Sequence, residues 1–500
     1  MNRKIISAIL FTGIVCALIS CGVNTDPAVA DGYVDIYDED NIVYHEEDYI
    51  ATQWENHEPE YNADLVGFNH LPDRDFGDSD FVFLADERAR YTSELHTEEE
   101  RGEPINDAVF KRNRIVSEKY NINIECEYSN DIWIWTRNNA LAGVDGNNAV
   151  LLPAVYAVRA IQEGLLVDIA NLPHISLENH WWDKSVRQLG VFNRNYLLNG
   201  DMLITNNEAT QAIIFAKELC VFYFLENPYQ LVHEGRWTFE KMFELMLSVG
   251  ADLNGDGFAK PEDDAFGLYY ASDSFLHSML VAGGGTLVSK DSNDTPYINL
   301  TSDRSLNIIN ETVRLINRNW VISNSAVQGD YYLEMFQYNR LLFVQTELRE
   351  LSYSHIMGLR MGDAESGILP MPKFDVVQTT YISPVNPETS AFLTVPVSVM
   401  DLHKTGFVLE ALASVSYYVQ EAYYDIALCG KFSRDYESKE MLDIIFNTRA
   451  YDMGAFYNFG GIYTGLIDFM GQGRTDITYF AERYTAQTTE AIERFIYMAE

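Results

Sequence analysis

Phe81-Val82-Phe83-Leu84 is a short apolar run, the stretch Asn106 to Tyr120 is amphipathic, and Ile122-Asn123-Ile124-Glu125-Cys126-Glu127-Tyr128 alternates residue by residue. Consecutive apolar side chains suit a strand buried on both faces. Val109, Ile115, Val116 and Tyr120 gather toward one side of a helix, and the alternating segment reads as a second strand with Cys126 as a buried thiol. A strand–helix–strand order of this kind is the unit from which parallel sheets are built.

Working outward, apolar runs of strand length keep alternating with helical stretches, at Ala149–Val155, Ala265–Tyr270, Leu341–Val344 and Phe392–Val399. Phe239, Met242, Phe243, Met246 and Leu247 share one face of a helix, and Val408, Leu412, Val415, Val419 and Tyr423 repeat at helical spacing. The alternation predicts an α/β fold with mainly parallel strands. No internal repeat of solenoid or propeller period is present.

The 500 residues leave room for two or three domains or one large two-lobed one. With 74 acidic against 35 basic residues and a formal charge of −39, the chain lacks the concentration of Lys and Arg needed to grip nucleic acid or anionic lipid. Its 31 tyrosines each offer a flat apolar ring with a polar tip, which suits a hydroxylated ligand and equally fills an ordinary core.

Arg3 and Lys4 precede an apolar segment, Ile5 to Ile19, too short to span a membrane comfortably. It ends in Leu18-Ile19-Ser20-Cys21, similar to the lipobox of bacterial lipoproteins, so residues 1–20 read as a signal peptide and Cys21 as the lipidated residue. A plain signal peptide with a chance cysteine is the alternative. Residues 21–79 are acidic and without sustained periodicity and read as a tether. Cys126, Cys220 and Cys429 cannot all pair, and no zinc spacing is present.

Asp252-Leu253-Asn254-Gly255-Asp256-Gly257 carries oxygen ligands at alternate positions and then a glycine, the pattern of a loop wrapped around calcium. Phe258 would add its carbonyl, and Glu262 or Asp263 would complete the set. The strand-like run after it argues for a single structural Ca2+ loop within another fold. A metal-free acidic turn is the alternative. Gly283-Gly284-Gly285 lacks the context of a phosphate cradle and reads as a turn.

Four ordered stretches carry a family resemblance: Asn106-Asp107-Ala108-Val109-Phe110-Lys111-Arg112-Asn113; Gly164-Leu165-Leu166-Val167-Asp168-Ile169 with His180-Trp181-Trp182-Asp183; Asn227-Pro228-Tyr229 with Gly235-Arg236-Trp237-Thr238-Phe239; and Gly367-Ile368-Leu369-Pro370-Met371-Pro372-Lys373. Over residues 80–500 the chain resembles the family 1 extracellular solute-binding proteins, the carbohydrate-binding lipoproteins of bacterial ABC importers, of the clostridial type. The resemblance implies a two-lobed Venus-flytrap fold of the type II periplasmic-binding-protein kind, with the ligand enclosed between lobes. Lobe 1 would comprise 80–205 and 381–450, and lobe 2 would comprise 206–380 with C-terminal helices from 451–500. Crossings would fall near Asn206, Tyr381 and Tyr451. The expected partners are a carbohydrate ligand, an ABC permease, and the membrane through the lipid anchor on its extracytoplasmic face, for a monomeric chain.

The same resemblance places a cleft loop at Leu151–Tyr156, where Tyr156 is the aromatic candidate. It offers Glu208 in the crossing stretch, Gln345 and Glu347 after the strand Leu341–Val344, and Trp181 as a stacking platform. For each, a solvated loop or a core role is the alternative; Trp237 reads as core. A secreted glycoside hydrolase would need two carboxylates across one sugar bond, and acidic residues this numerous make that spacing uninformative. No nucleophile elbow, His-Glu-x-x-His, P-loop or dinucleotide fingerprint occurs. A helical-repeat glycan-binding lipoprotein would share the anchor and the tyrosines but would be nearly all helical.

Overall fold

A computed structural model describes residues 68–87, 94–271, 274–327, 329–352, 365–424, 436–472, 474 and 476–499. The signal segment 1–20, the acidic stretch 21–67, Cys21 and Cys429 lie outside them. Among the described residues no helix is long and apolar enough to cross a membrane.

β1 (Ser79–Asp86) pairs in parallel with β2 (Ile122–Ser129) and with β3 (Ala149–Pro153). The helix Pro104–Tyr120 makes the crossover from β1 to β2. It starts on a proline, whose missing N–H costs nothing there, and ends at Asn121 in the left-handed region (φ 50°). Phe81 and Phe83 face one cluster, with Leu151 and Leu393, while Leu84 faces another, with Val150, Leu152 and Phe392. Both faces of the sheet are therefore covered, which is why its strands read as apolar runs.

The chain then builds a second sheet from β4 (Gln211–Ala216), β5 (Phe266–Tyr270), β8 (Val321–Ser323), β9 (Leu341–Glu347) and β10 (Ser366–Leu369), in the order β10-β4-β9-β5-β8. Between β5 and β8 lies a hairpin of β6 (Val288–Lys290) and β7 (Pro296–Ile298). β4 and β9 are buried along nearly their whole length in a core with Trp237, Met242 and Phe266. β11 (Ser383–Pro384) leads back to the first sheet, where β12 (Ala391–Thr394) joins antiparallel to β3, and β13 (Arg449–Ala450) pairs in parallel with β11. These sheets rule out a nearly all-helical repeat.

Several expectations are corrected. The sheets are mixed rather than mainly parallel, because β12 beside β3 and β4 between β10 and β9 run antiparallel. β12 enters after an excursion through the second sheet, so no crossover helix obliges it to run parallel. The strand at Ala149 stops at Pro153, and the helix Ala154–Gln162 begins directly. The packed chain starts before residue 80: Phe68 and Leu71 are buried, and Phe76 meets the Phe407 ring edge-on at 5.4 Å. The helix Tyr436–Asn447 sends Met441, Leu442 and Ile445 into the second core, not the first. The C-terminal helix Ile477–Ala499 serves both, with Phe480 in the second core and Ile492 and Phe495 against the first sheet's outer cluster. Cys126 is half-buried rather than buried, although desolvation pushes its thiol up to about 12, and its neighbour Tyr128 is exposed.

Candidate ligand site

In open α/β sheets ligands gather outside the carboxyl ends of the strands. In the first sheet those ends are Asp86, Ser129 and Pro153, with the start of β12 at Ala391 beside them. In the second they are Tyr270, Ser323 and Glu347, with the start of β4 at Gln211. The connecting segments join these two sets. Ala209 O accepts from Asn386 N at 2.9 Å, Thr210 O accepts from Leu348 N at 3.0 Å, and Ser390 O accepts from Ala154 N at 3.0 Å.

Glu347 is at the centre. Antiparallel pairing sets it opposite Gln211, and the two-residue period puts Gln345 on its face of β9. Asn386 Nδ2 donates to its carboxylate at 2.6 Å, Thr389 Oγ1 at 2.9 Å, and Arg349 Nε lies 3.0 Å away. Burial raises the Glu347 pKa, and the Arg349 charge and the two hydrogen bonds work against that rise. Gln345 is 1% exposed and uses both ends of its amide, accepting from Ala271 N at 3.0 Å and donating to Gln211 Oε1. Gln211 Nε2 is a buried donor without a partner among the described residues, which suits a site built to meet a polar group.

Glu208 is half-buried and closes the short helix Thr205–Glu208. That turn is held by the buried Glu94 carboxylate, which accepts from Ile204 N at 2.6 Å and Thr205 N at 2.9 Å. Tyr156 is half-buried on the helix Ala154–Gln162, two residues after the Ser390 contact, and is not on a loop. Its ring stacks on Trp133 with centroids 5.7 Å apart and planes 19° from parallel. Glu208, Gln345, Glu347 and Tyr156 are thus drawn around one junction. Trp181 is 7% exposed and packs in the first core, with ring centroids 5.1 Å from His70 and 4.8 Å from His180.

Asn386, Thr389, Arg349, Gln211 and Trp133 were not singled out from the sequence. Nothing local marks the first four, whose roles arise from register and chain crossing. Trp133 had a readable signal: it stands beside Trp135 in Ile132-Trp133-Ile134-Trp135, directly after a strand.

The acidic loop forms the expected bend, with Gly255 and Gly257 at φ +74° and +82°, where a β-carbon would be strained. Asp252 accepts from Gly255 N at 2.7 Å and Gly257 N at 2.8 Å, and Asn254 Oδ1 accepts from Asp256 N at 2.8 Å. Asn254 Nδ2 donates to Asp263 at 3.2 Å, and Phe258 is exposed. Asp264, fully buried, closes the loop through Leu253 N and Lys260 N. The Lys260 ammonium pairs with Asp256. The donor types suit a hard cation, which would have to displace that ammonium. Among the described residues no three His, Cys, Asp or Glu side chains converge as a metal site.

No family model matches the chain, and no curated protein matches it. Solved structures do. An ABC substrate-binding protein from Listeria monocytogenes in complex with cycloalternan aligns at TM-score 0.52 and 10% identity over 84% of this chain and 99% of the other. A solute-binding protein of an ABC transporter from Thermotoga lettingae, bound with α-D-tagatose, gives 0.52 and 14% over 83% and 100%. A sugar transporter protein from Rhizobium etli in an open conformation gives 0.54 and 12% over 83% and 99%. At these identities the likeness establishes the fold, the two-lobed periplasmic-binding-protein-like architecture.

Proposed function

We propose that this chain is the lipid-anchored, extracytoplasmic substrate-binding component of an ABC importer. It takes an oligosaccharide or related sugar between its lobes and delivers it to a permease without altering it. The observation that carries this reading is the junction at Glu347, where carboxylate, amide, hydroxyl and aromatic groups from both sheets and two connecting segments meet. Sugar hydroxyl edges need such polar pairs, and the apolar ring face needs an aromatic plane. The solved neighbours whose names report cycloalternan and tagatose share the architecture.

In this reading lobe 1 divides from lobe 2 near Asn206, Tyr381 and Tyr451, and the ligand closes the lobes through contacts that it makes better in the closed state. Glu208 accepts from hydroxyls, Tyr156 supplies a ring face or phenol, Glu347 binds from the second sheet, and Gln345 holds Gln211 in place. Trp181 is assigned to the first core. The loop Asp252–Asp263 takes a structural calcium ion, and the protein works as a monomer.

Calorimetry over plant, host and bacterial oligosaccharides, with small-angle scattering for closure, tests this. Tyr156→Ala, Glu208→Ala and Glu347→Gln should each weaken the bound sugar by about 1–3 kcal/mol. Turnover of a panel member would point to a hydrolase, and tight peptide binding with silence toward every sugar would mean another ligand class.

A further inference from the structure

Trp133 occupies a place that the proposed sugar site does not use. It lies in the first turn of the helix Ile132–Ala142, four residues after β2 ends at Ser129, so it belongs to the same rim as Pro153 and Ala154. Tyr156 and Arg159, one turn apart on a neighbouring helix, both lie against its indole, the Arg159 guanidinium 4.5 Å from the ring centroid. Glu163 ties the two helices together, with Arg137 Nε at 2.5 Å and Arg159 Nε at 3.1 Å. The indole is therefore backed, oriented and braced while still half-exposed. Such pre-organisation costs a ligand little ordering.

Its position in the sheet supplies the second observation. The strand order is β12-β3-β1-β2, with the Glu347, Asn386 and Thr389 group at the β12 end and Trp133 beyond β2. Three strand spacings, about 14 Å, separate those ends. A single sugar ring cannot touch both.

We infer that Trp133 is a distal stacking site for a second or later ring of a linked saccharide, the ring face lying on the indole surface turned away from Tyr156 and Arg159. The inference rests on the carbohydrate reading and narrows it to oligosaccharides over monosaccharides. Glu347 and its partners anchor one ring by hydrogen bonds, and Trp133 selects for length.

Calorimetry with cello-, malto- and xylo-oligosaccharides, from mono- to tetrasaccharide, tests it on the unaltered chain and on Trp133→Ala. The longer members of the bound series should lose affinity on the order of tenfold or more, and the shortest should stay within about twofold. Trp133→Phe should recover most of the loss. Trp135→Ala, on the same helix with its indole N–H given to Asn147 at 3.1 Å, should bind and melt like the parent, which separates ligand loss from helix damage. Silence of the unaltered protein toward every member sinks the carbohydrate reading and this inference with it. Binding restricted to monosaccharides, unchanged in Trp133→Ala, or weakened equally at all lengths overturns the distal site alone.

Discussion

Arg449 Nη2 lies 3.4 Å from Asp183 Oδ2, which ties the last segment between the sheets to the first lobe inside the protein. The same guanidinium donates to Asn207 on the first connecting segment. Asp183 also accepts from Tyr451 Oη and from Asn199 Nδ2, each at 3.0 Å. Burial opposes the charge on Asp183, yet Arg449 and these donors outweigh it and hold the carboxyl below its usual range.

Replacing Arg449→Met should therefore leave a buried carboxylate without its cation and cost about 3–5 kcal/mol at neutral pH. Denaturant titration measures it. The loss should shrink in acid, where Asp183 takes up a proton; a loss independent of pH would mean that packing alone is at stake.

Asp201 shows the opposite balance. Burial lifts its pKa from 3.8 to about 7, with Arg449 pulling down and Asp183 pushing up. Between those values the folded chain binds a proton that the unfolded chain has released, so stability falls as pH rises through the window. Asp201→Asn should remove that slope and stabilise the protein by roughly 1–3 kcal/mol above about pH 7, with little gain near pH 4. Melting curves across that range decide it, and a gain that grows toward acid contradicts the argument.

Calcium bound to the native loop alone should raise the melting temperature of a metal-stripped sample by mass action, about 2.7 kcal/mol at a hundredfold excess over Kd. Asp256→Ala should erase the effect. Identical curves with calcium and with chelator would leave an acidic turn closed by Lys260.

The anchor is tested by Cys21→Ser. Lipidation should hold the mature protein at the membrane, where two acyl chains anchor stably, and the variant should reach the medium or stay unprocessed. Unchanged fractionation and maturation would remove the lipobox reading.

Local pattern determined a good deal of this. The run Phe81–Leu84, the helix Asn106–Tyr120 and the alternation at Ile122 were legible because burial imposes a period on a strand or helix wherever it sits. So were the bend at Gly257, which needs a backbone that only glycine adopts easily, and the core role of Trp237, whose Nε1 donates to Pro370 O at 2.9 Å.

Tertiary structure decided the rest. No local period tells that β12 returns antiparallel to β3, that the helix Tyr436–Asn447 belongs to the second core, or that Phe68 and Leu71 close the first. Glu347 reads the same as any of the other acidic residues until register sets Gln211 opposite it and Asn386 and Thr389 arrive from nearly forty positions away. Trp182 becomes a fixed structural residue only when Glu410, from a distant helix, accepts its indole N–H at 2.7 Å. Periodicity is a property of neighbours in the chain, whereas a site is made by groups that only the crossing of the chain between two sheets brings within hydrogen-bond reach.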